Sequence, residues 1–154
     1  NGEGTAVNKP EAFRWYKAAA EQGVANAQYN LAVCYDNGKG TEVNKTEAFR
    51  WYKAAAEQGM AIAQNNLGFC YEIGAGTAVN KTEAVCWYKA AARQRYTSAQ
   101  YNLARCYENG IGTEVNKTEA FRWYKAAAYQ GNASARKRLR EQKDFFKLLL
   151  HIDL

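Results

Sequence analysis

Between residues 11 and 21 the apolar side chains Ala12, Trp15, Tyr16 and Ala19 fall at i, i+3, i+4 and i+7, with Arg14, Lys17 and Glu21 on the opposite side. That spacing matches a 3.6-residue period and predicts an amphipathic helix. A second stripe follows at Ala27, Leu31, Cys34 and Tyr35, and Gly38 stands where a helix stop is expected. Gly23 punctuates the turn between the two, as Gly59 and Gly131 do further on; Arg95 departs from that rule. The loop Gly38-Lys-Gly-Thr-Glu-Val-Asn44 then leads into Asn44-Lys-Thr-Glu47, an Asn followed three residues later by Glu, which predicts a capping box for the next helix. Each unit therefore reads as helix, turn, helix, loop.

The four tryptophans, Trp15, Trp51, Trp87 and Trp123, are each 36 residues apart, and nearly the same segment surrounds each. One such helix pair cannot bury its stripe alone, so successive pairs are expected to stack around a continuous core. The predicted class is all-α, a right-handed α-solenoid of antiparallel helix pairs with a 36-residue period. The expected divisions are a loop tail at 1–9, repeats at 10–45, 46–81, 82–117 and 118–143, and a capping helix at 144–154.

These residues resemble the SEL-one-like repeat family, relatives of the tetratricopeptide repeat. The family pattern appears as Ala48, Trp51, Tyr52, Ala55, Ala56, Gly59, Ala63, Leu67, Gly68, Tyr71, Gly74 and Gly76. The resemblance covers about residues 1 to 140. It implies a tetratricopeptide-like superhelix acting as a protein-interaction scaffold or adaptor, without enzymatic activity. Cysteine-rich bacterial relatives place two Cys eight residues apart across each helix pair, where this chain has Ala, as at Ala19 and Ala27.

Composition narrows the chemistry further. The 154 residues hold one Pro, and no stretch approaches the roughly 18 apolar residues of a membrane span. A single His and four Cys without CxxC spacing offer no zinc or dithiol motif, so no metal and no cofactor is expected. Cys34, Cys70 and Cys106 share one repeat position on the apolar stripe and are expected as buried, unpaired thiols, which favours a reducing compartment such as the cytoplasm. Cys86 stands where other units carry Arg14, Arg50 and Arg122, and is the expected exposed thiol. The sequons at Asn44, Asn80, Asn116 and Asn132 read as helix caps first. Ser134-Ala-Arg-Lys137 spells Ser-x-x-Lys, but neither Ser-Asp-Asn nor Lys-Thr-Gly accompanies it. No catalytic constellation stands out.

The candidate site is a surface. Opposite the core stripe the first helices carry Arg14, Lys17, Arg50, Lys53, Lys89, Arg122 and Lys125, a basic ladder flanked by Phe13, Phe49, Val85 and Phe121. The resemblance implies that first helices line a concave face. There a protein or peptide partner of acidic character would meet cations for steering and aromatic rings as anchors. Framework positions barely vary between units, whereas Val24, Met60 and Tyr96 differ at one position and Val33, Phe69 and Arg105 at another. The third unit, with Val85, Cys86, Arg93, Arg95 and Tyr96, is the expected specialised contact.

Two alternatives remain open at this stage. The repeats could be structural spacers in a larger or consensus-designed protein. Net charge +6 also admits nucleic-acid binding through Arg136, Arg138 and Arg140, although units other than the C-terminal one look nearly balanced. Residues 132–154 hold six Lys/Arg against three acids, and Gln142 and Lys143 replace the Cys and Tyr of earlier units, as expected of a terminal repeat. Phe145 to Leu150 reads as a capping helix, or else as an amphipathic binding tail. The first nine residues align with 37–45 and 109–117, which reads as an excerpt from a longer array.

Overall fold

The computed structural model describes residues 8–152, which form eight helices and no strand. They are α1 (Lys9–Glu21), α2 (Ala25–Asn37), α3 (Lys45–Glu57), α4 (Ala61–Ile73), α5 (Lys81–Arg93), α6 (Thr97–Asn109), α7 (Lys117–Tyr129) and α8 (Ala133–Ile152). Asn8, Asn44 and Asn116 cap α1, α3 and α7, each side chain accepting from the N–H three residues on at 3.0 to 3.2 Å. The other half of the capping box is replaced. The backbone N–H of Asn44 donates to Tyr35 O and that of Asn116 to Tyr107 O, both at 2.8 Å, so the cap residue is tied to the preceding helix. The Glu side chains turn outward instead, Glu47 to Arg50 at 3.6 Å and Glu119 to Arg122 at 3.4 Å.

The connection after each second helix depends on a close approach. α2, α4 and α6 end in a left-handed Gly at φ 67°, 75° and 67°. Two residues later, Gly40, Gly76 and Gly112 lie so near the carbonyls of Lys9, Lys45 and Lys81 that any Cβ would collide with backbone. The loop is thereby pinned across the N-terminus of its own pair's first helix.

The chain divides into two compact units, one reaching Asn80 and one from Lys81 onward. In the first, α1 to α4 bury Ala20, Leu31, Ala32, Ala48, Trp51, Tyr52, Ala55, Ala63 and Leu67. Small Ala side chains permit close helix approach, and the aromatic rings fill the space that remains. Trp15, predicted for the buried stripe, is 70% exposed, whereas Trp51 at the same repeat position is 8% exposed. The difference is one of cover, since Trp51 has the preceding helix α2 packed against its own helix α3. In the second unit Ala104, Ala120, Tyr124, Ala127 and Ala135 form the core between α6, α7 and α8, with Tyr101, Trp123 and Leu139 against it.

α8 departs from its three counterparts. It runs unbroken for 20 residues where α2, α4 and α6 stop after 13. Phe146 and Leu148 occupy the positions of Gly38 and Gly40, so the left-handed cap and the close-packed loop are both lost and the helix continues. The boundary expected at residue 144 is therefore the interior of one helix.

Candidate protein-interaction surface

Polar groups knit the helix pairs together at recurring places. Gln28, Gln64 and Gln100 donate from Nε2 to the carbonyls of Ala20, Ala56 and Ala92 at 3.2 to 3.4 Å, closing each pair from within. In the fourth pair Arg136 takes this position and its Nε donates to Ala128 O at 3.1 Å. Between pairs, Gln58 donates to Gln28 Oε1 at 2.8 Å in the first unit, and Gln130 to Gln100 Oε1 at 2.6 Å in the second.

A second joint links an acid at the end of one second helix to a Tyr sixteen residues on. In the first unit, Lys45 Nζ donates to Asp36 Oδ1 at 2.6 Å and to its carbonyl at 2.8 Å, and Tyr52 Oη donates to Oδ2 at 3.3 Å. In the second unit Glu108 is buried, and Tyr124 Oη donates to its Oε2 at 2.7 Å. Arg138 Nε donates to Oε1 at 2.9 Å and Gln142 Nε2 to the same oxygen at 3.1 Å. Burial alone would raise the Glu108 pKa. The donors from Arg138, Tyr124 and Gln142 outweigh that desolvation and hold it below its usual value. Burial and the adjacent carboxylate push the Tyr124 hydroxyl upward.

The predicted ladder residues lie on exposed or half-buried helix faces, described unit by unit. In the first unit Arg14, Lys17, Arg50 and Lys53 are exposed. Arg50 pairs with Glu47 and lies 5.1 Å from the Trp51 ring centroid. Phe13 and Phe49 are half-buried, each standing edge-on to the Tyr of its own pair, Tyr35 at 5.3 Å and Tyr71 at 5.2 Å. They serve intra-pair packing. In the second unit Val85 is buried, and Lys89 lies 5.9 Å from the Tyr107 ring. Arg122 is exposed, pairs with Glu119 and lies 5.3 Å from the Trp123 ring. Lys125 is exposed, and Phe121 is 49% exposed because Lys143 stands where Tyr35 and Tyr71 shield the other two Phe rings.

Two concavities open in the second unit. A shallow cleft of about 340 Å³ brings Arg122 and Lys125 together with Arg95, Gln100, Tyr129 and Gln130, without a carboxylate among its lining residues. Arg95 holds φ +63° where other units use Gly, and Tyr129, 85% exposed, replaces the Glu21 and Glu57 of the first unit. A groove of about 1280 Å³ lies between α7, from Lys117 to Lys125, and the middle of α8, from Arg138 to Phe145, with Glu108 of α6 at its edge. Neither Tyr129 nor the groove emerged from periodicity. The signals were present, however, in the Glu-to-Tyr change at residue 129 and the Tyr-to-Lys change at residue 143.

Charge is divided unequally. Residues 1–80 carry seven Lys/Arg against eight Asp/Glu, net −1, and residues 81–154 carry fourteen against seven, net +7. The expectation of near balance outside the last repeat fails for the third, where Arg93, Arg95 and Arg105 accumulate. The described residues contain no cluster of His, Cys, Asp and Glu able to hold a metal, and no helix long and apolar enough to cross a membrane.

The Sel1 repeat profile matches four successive stretches, residues 1–24, 25–60, 61–96 and 97–132. The chain belongs to the Sel1-repeat family. The last three Sel1 matches are each 36 residues long and begin at the second helices α2, α4 and α6. A Sel1 repeat protein from Oxalobacter formigenes is similar at 43% identity over 82% of this chain and 95% of that one, with a TM-score of 0.75. The protective antigen c5321 of uropathogenic Escherichia coli, which has the same repeat fold, is 38% identical over 90% of this chain but only 30% of its own, with a TM-score of 0.86. Cysteine-rich protein B of Helicobacter pylori, at 22% identity and a TM-score of 0.66 over 88% of this chain and 98% of that one, shares the fold. No curated protein matches this chain. The fold class is thus the all-α solenoid of Sel1 repeats, whose members are typically protein-interaction scaffolds.

Proposed function

We propose that the chain is a non-enzymatic scaffold module that captures an acidic peptide or helix on the faces of its first helices, the face that the family resemblance makes concave. The observation carrying this reading is the cleft of Arg95, Arg122 and Lys125 beside the exposed Tyr129 ring, lined by cations, amides and an aromatic but no acid. Such a surface steers an anionic partner by charge and holds it by ring contact. Arg14, Lys17, Arg50 and Lys53 would extend the same chemistry in the first unit, although Glu21 and Glu57 offset it there. Lys89 and Phe121 flank the second-unit portion.

The test compares pull-downs with the parent chain, an Arg95→Glu/Arg122→Glu variant and an Arg14→Glu/Arg50→Glu variant, all checked by circular dichroism. Bound proteins should be lost with the first variant, and partly retained with the second. Equal capture by parent and both variants would remove the basic-face reading, and no capture by any would leave a spacer role as the better account.

A further inference from the structure

In pairs one to three the N-terminus of the first helix is covered by the chain's own loop, with Gly40, Gly76 and Gly112 pressed on the carbonyls of Lys9, Lys45 and Lys81. The equivalent carbonyl in pair four belongs to Lys117, and there α8 continues as helix through residues 146 and 148, the positions at which the other pairs turn into the covering loop. The α7–α8 groove opens at this place: Lys117 and Thr118 line it, with Phe121 and Leu139 farther along and Phe145 beside them. Phe121 and Phe145 are 49% and 59% exposed.

We propose that this groove binds an extended acidic segment of a partner protein, with the Gly-x-Gly-Thr-Glu-Val chemistry of the chain's own loops. Three observations favour that occupant. The fold fills the same place with extended chain three times over, and two of those loops carry an acid before Val, at Glu42 and Glu114. The groove also carries Lys117, Lys125 and Lys143, while both of its carboxylates, Glu108 and Glu141, are already engaged by Arg138. Complementary charge is therefore negative. Finally, the aromatic ring of Phe121 lacks the Tyr that covers Phe13 and Phe49, leaving an anchor for the apolar residue of the segment. A second copy stacked on α8 as α7 stacks on α6 fits less well. Arg140 occupies the position of the fully buried Ala104, and its side chain would stand where a facing helix must approach closely.

The experiment is an amide NMR titration of the whole chain with an acetylated, amidated octapeptide of the sequence of residues 109–116, Asn-Gly-Ile-Gly-Thr-Glu-Val-Asn. Saturable shifts are expected at Thr118, Phe121, Leu139 and Phe145. Affinity should fall at least about fivefold in a Phe121→Ser/Phe145→Ser variant whose circular dichroism and melting match the parent, both rings being about half exposed. It should fall comparably when the peptide's second Gly becomes Val, since that Cβ would strike the Lys117 carbonyl. Absence of shifts, shifts confined to other helices, or equal binding of the Val peptide would overturn the proposal. Sedimentation of the chain alone supplies the remaining outcome: concentration-dependent dimers abolished by the double variant would assign the groove to a second copy and overturn the partner reading.

Discussion

The two units are built on one 36-residue template, yet they solve the same joint differently. In the first, Asp36 meets a Lys and a Tyr at a half-exposed site, where Asn66 also reaches the Tyr52 hydroxyl. In the second, Glu108 is buried beneath Tyr124, Arg138 and Gln142. The lengthened acid and the Asn-to-Arg change between positions 66 and 138 turn a solvated polar joint into an ion pair whose carboxylate is buried and whose guanidinium is partly solvated. The lesson is that a repeat fixes the framework while a few facing positions set how each joint responds to substitution and pH.

The largest expected effect breaks the buried version. Arg138→Ala leaves the Glu108 carboxylate with neutral donors only and should lower unfolding free energy by about 3 kcal/mol, the low end for a broken buried pair because the guanidinium is partly solvated. Asn66→Ala, at the equivalent position, should cost about 1 kcal/mol. Urea denaturation followed by tryptophan fluorescence measures both, and equal losses would erase the distinction between the joints.

Acid titration sharpens the same contrast. The folded pKa of Glu108 lies below its ordinary value of 4.5, so the stabilisation is complete above the unfolded pKa and is lost as pH falls through the lower folded one. Protection of the α8 amides, taken relative to the intrinsic exchange rate at each pH, should fall in the parent as pH drops below the ordinary carboxylate range, and Glu108→Gln should flatten that acid limb. An unchanged profile in the variant would assign the acid sensitivity to other carboxylates. A smaller step separates the two tyrosines. Tyr124→Phe removes a 2.7 Å bond to a buried carboxylate and should cost about 1.5 kcal/mol, whereas Tyr52→Phe removes a 3.3 Å bond to an acid already held by Lys45 and should cost about 0.5 kcal/mol.

Much of the framework was legible because it depends on spacing. The Trp period, the Asn caps and the Gly helix stops are local signals, and Ala27, Leu31 and Cys34 are buried as their stripe predicts. What spacing could not give was the facing residue. Phe13, Phe49 and Phe121 look equivalent along the chain, but only Phe121 stands open, because its cover depends on residue 143, 22 positions away. Trp15 is likewise exposed despite a pattern identical to that of Trp51, since a periodic stripe says nothing of whether another helix lies over it. The Gln28 and Gln58 latch and the Asp36 to Tyr52 joint are polar pairings between helices, which a count of apolar positions passes over.

The smallest expected effect lies in thiol chemistry, where stability is untouched but the units still differ. Cys34 and Cys70 are buried in the first unit, and burial pushes the Cys70 thiol up to about 11, with Asp36 adding to the rise and Lys45 opposing it. A thiol held so far above neutrality offers little thiolate and no access to a bulky reagent. The second unit pairs buried Cys106 with exposed Cys86, which takes the place of a ladder arginine. A native-state titration with an aromatic disulfide at pH 8 should therefore release one equivalent promptly, and Cys86→Ser should abolish that phase without shifting the melting temperature by more than about a degree. Prompt release of a second equivalent would mean that one of the buried positions opens on the reaction timescale, and labelling followed by peptide mapping would show which unit is the looser.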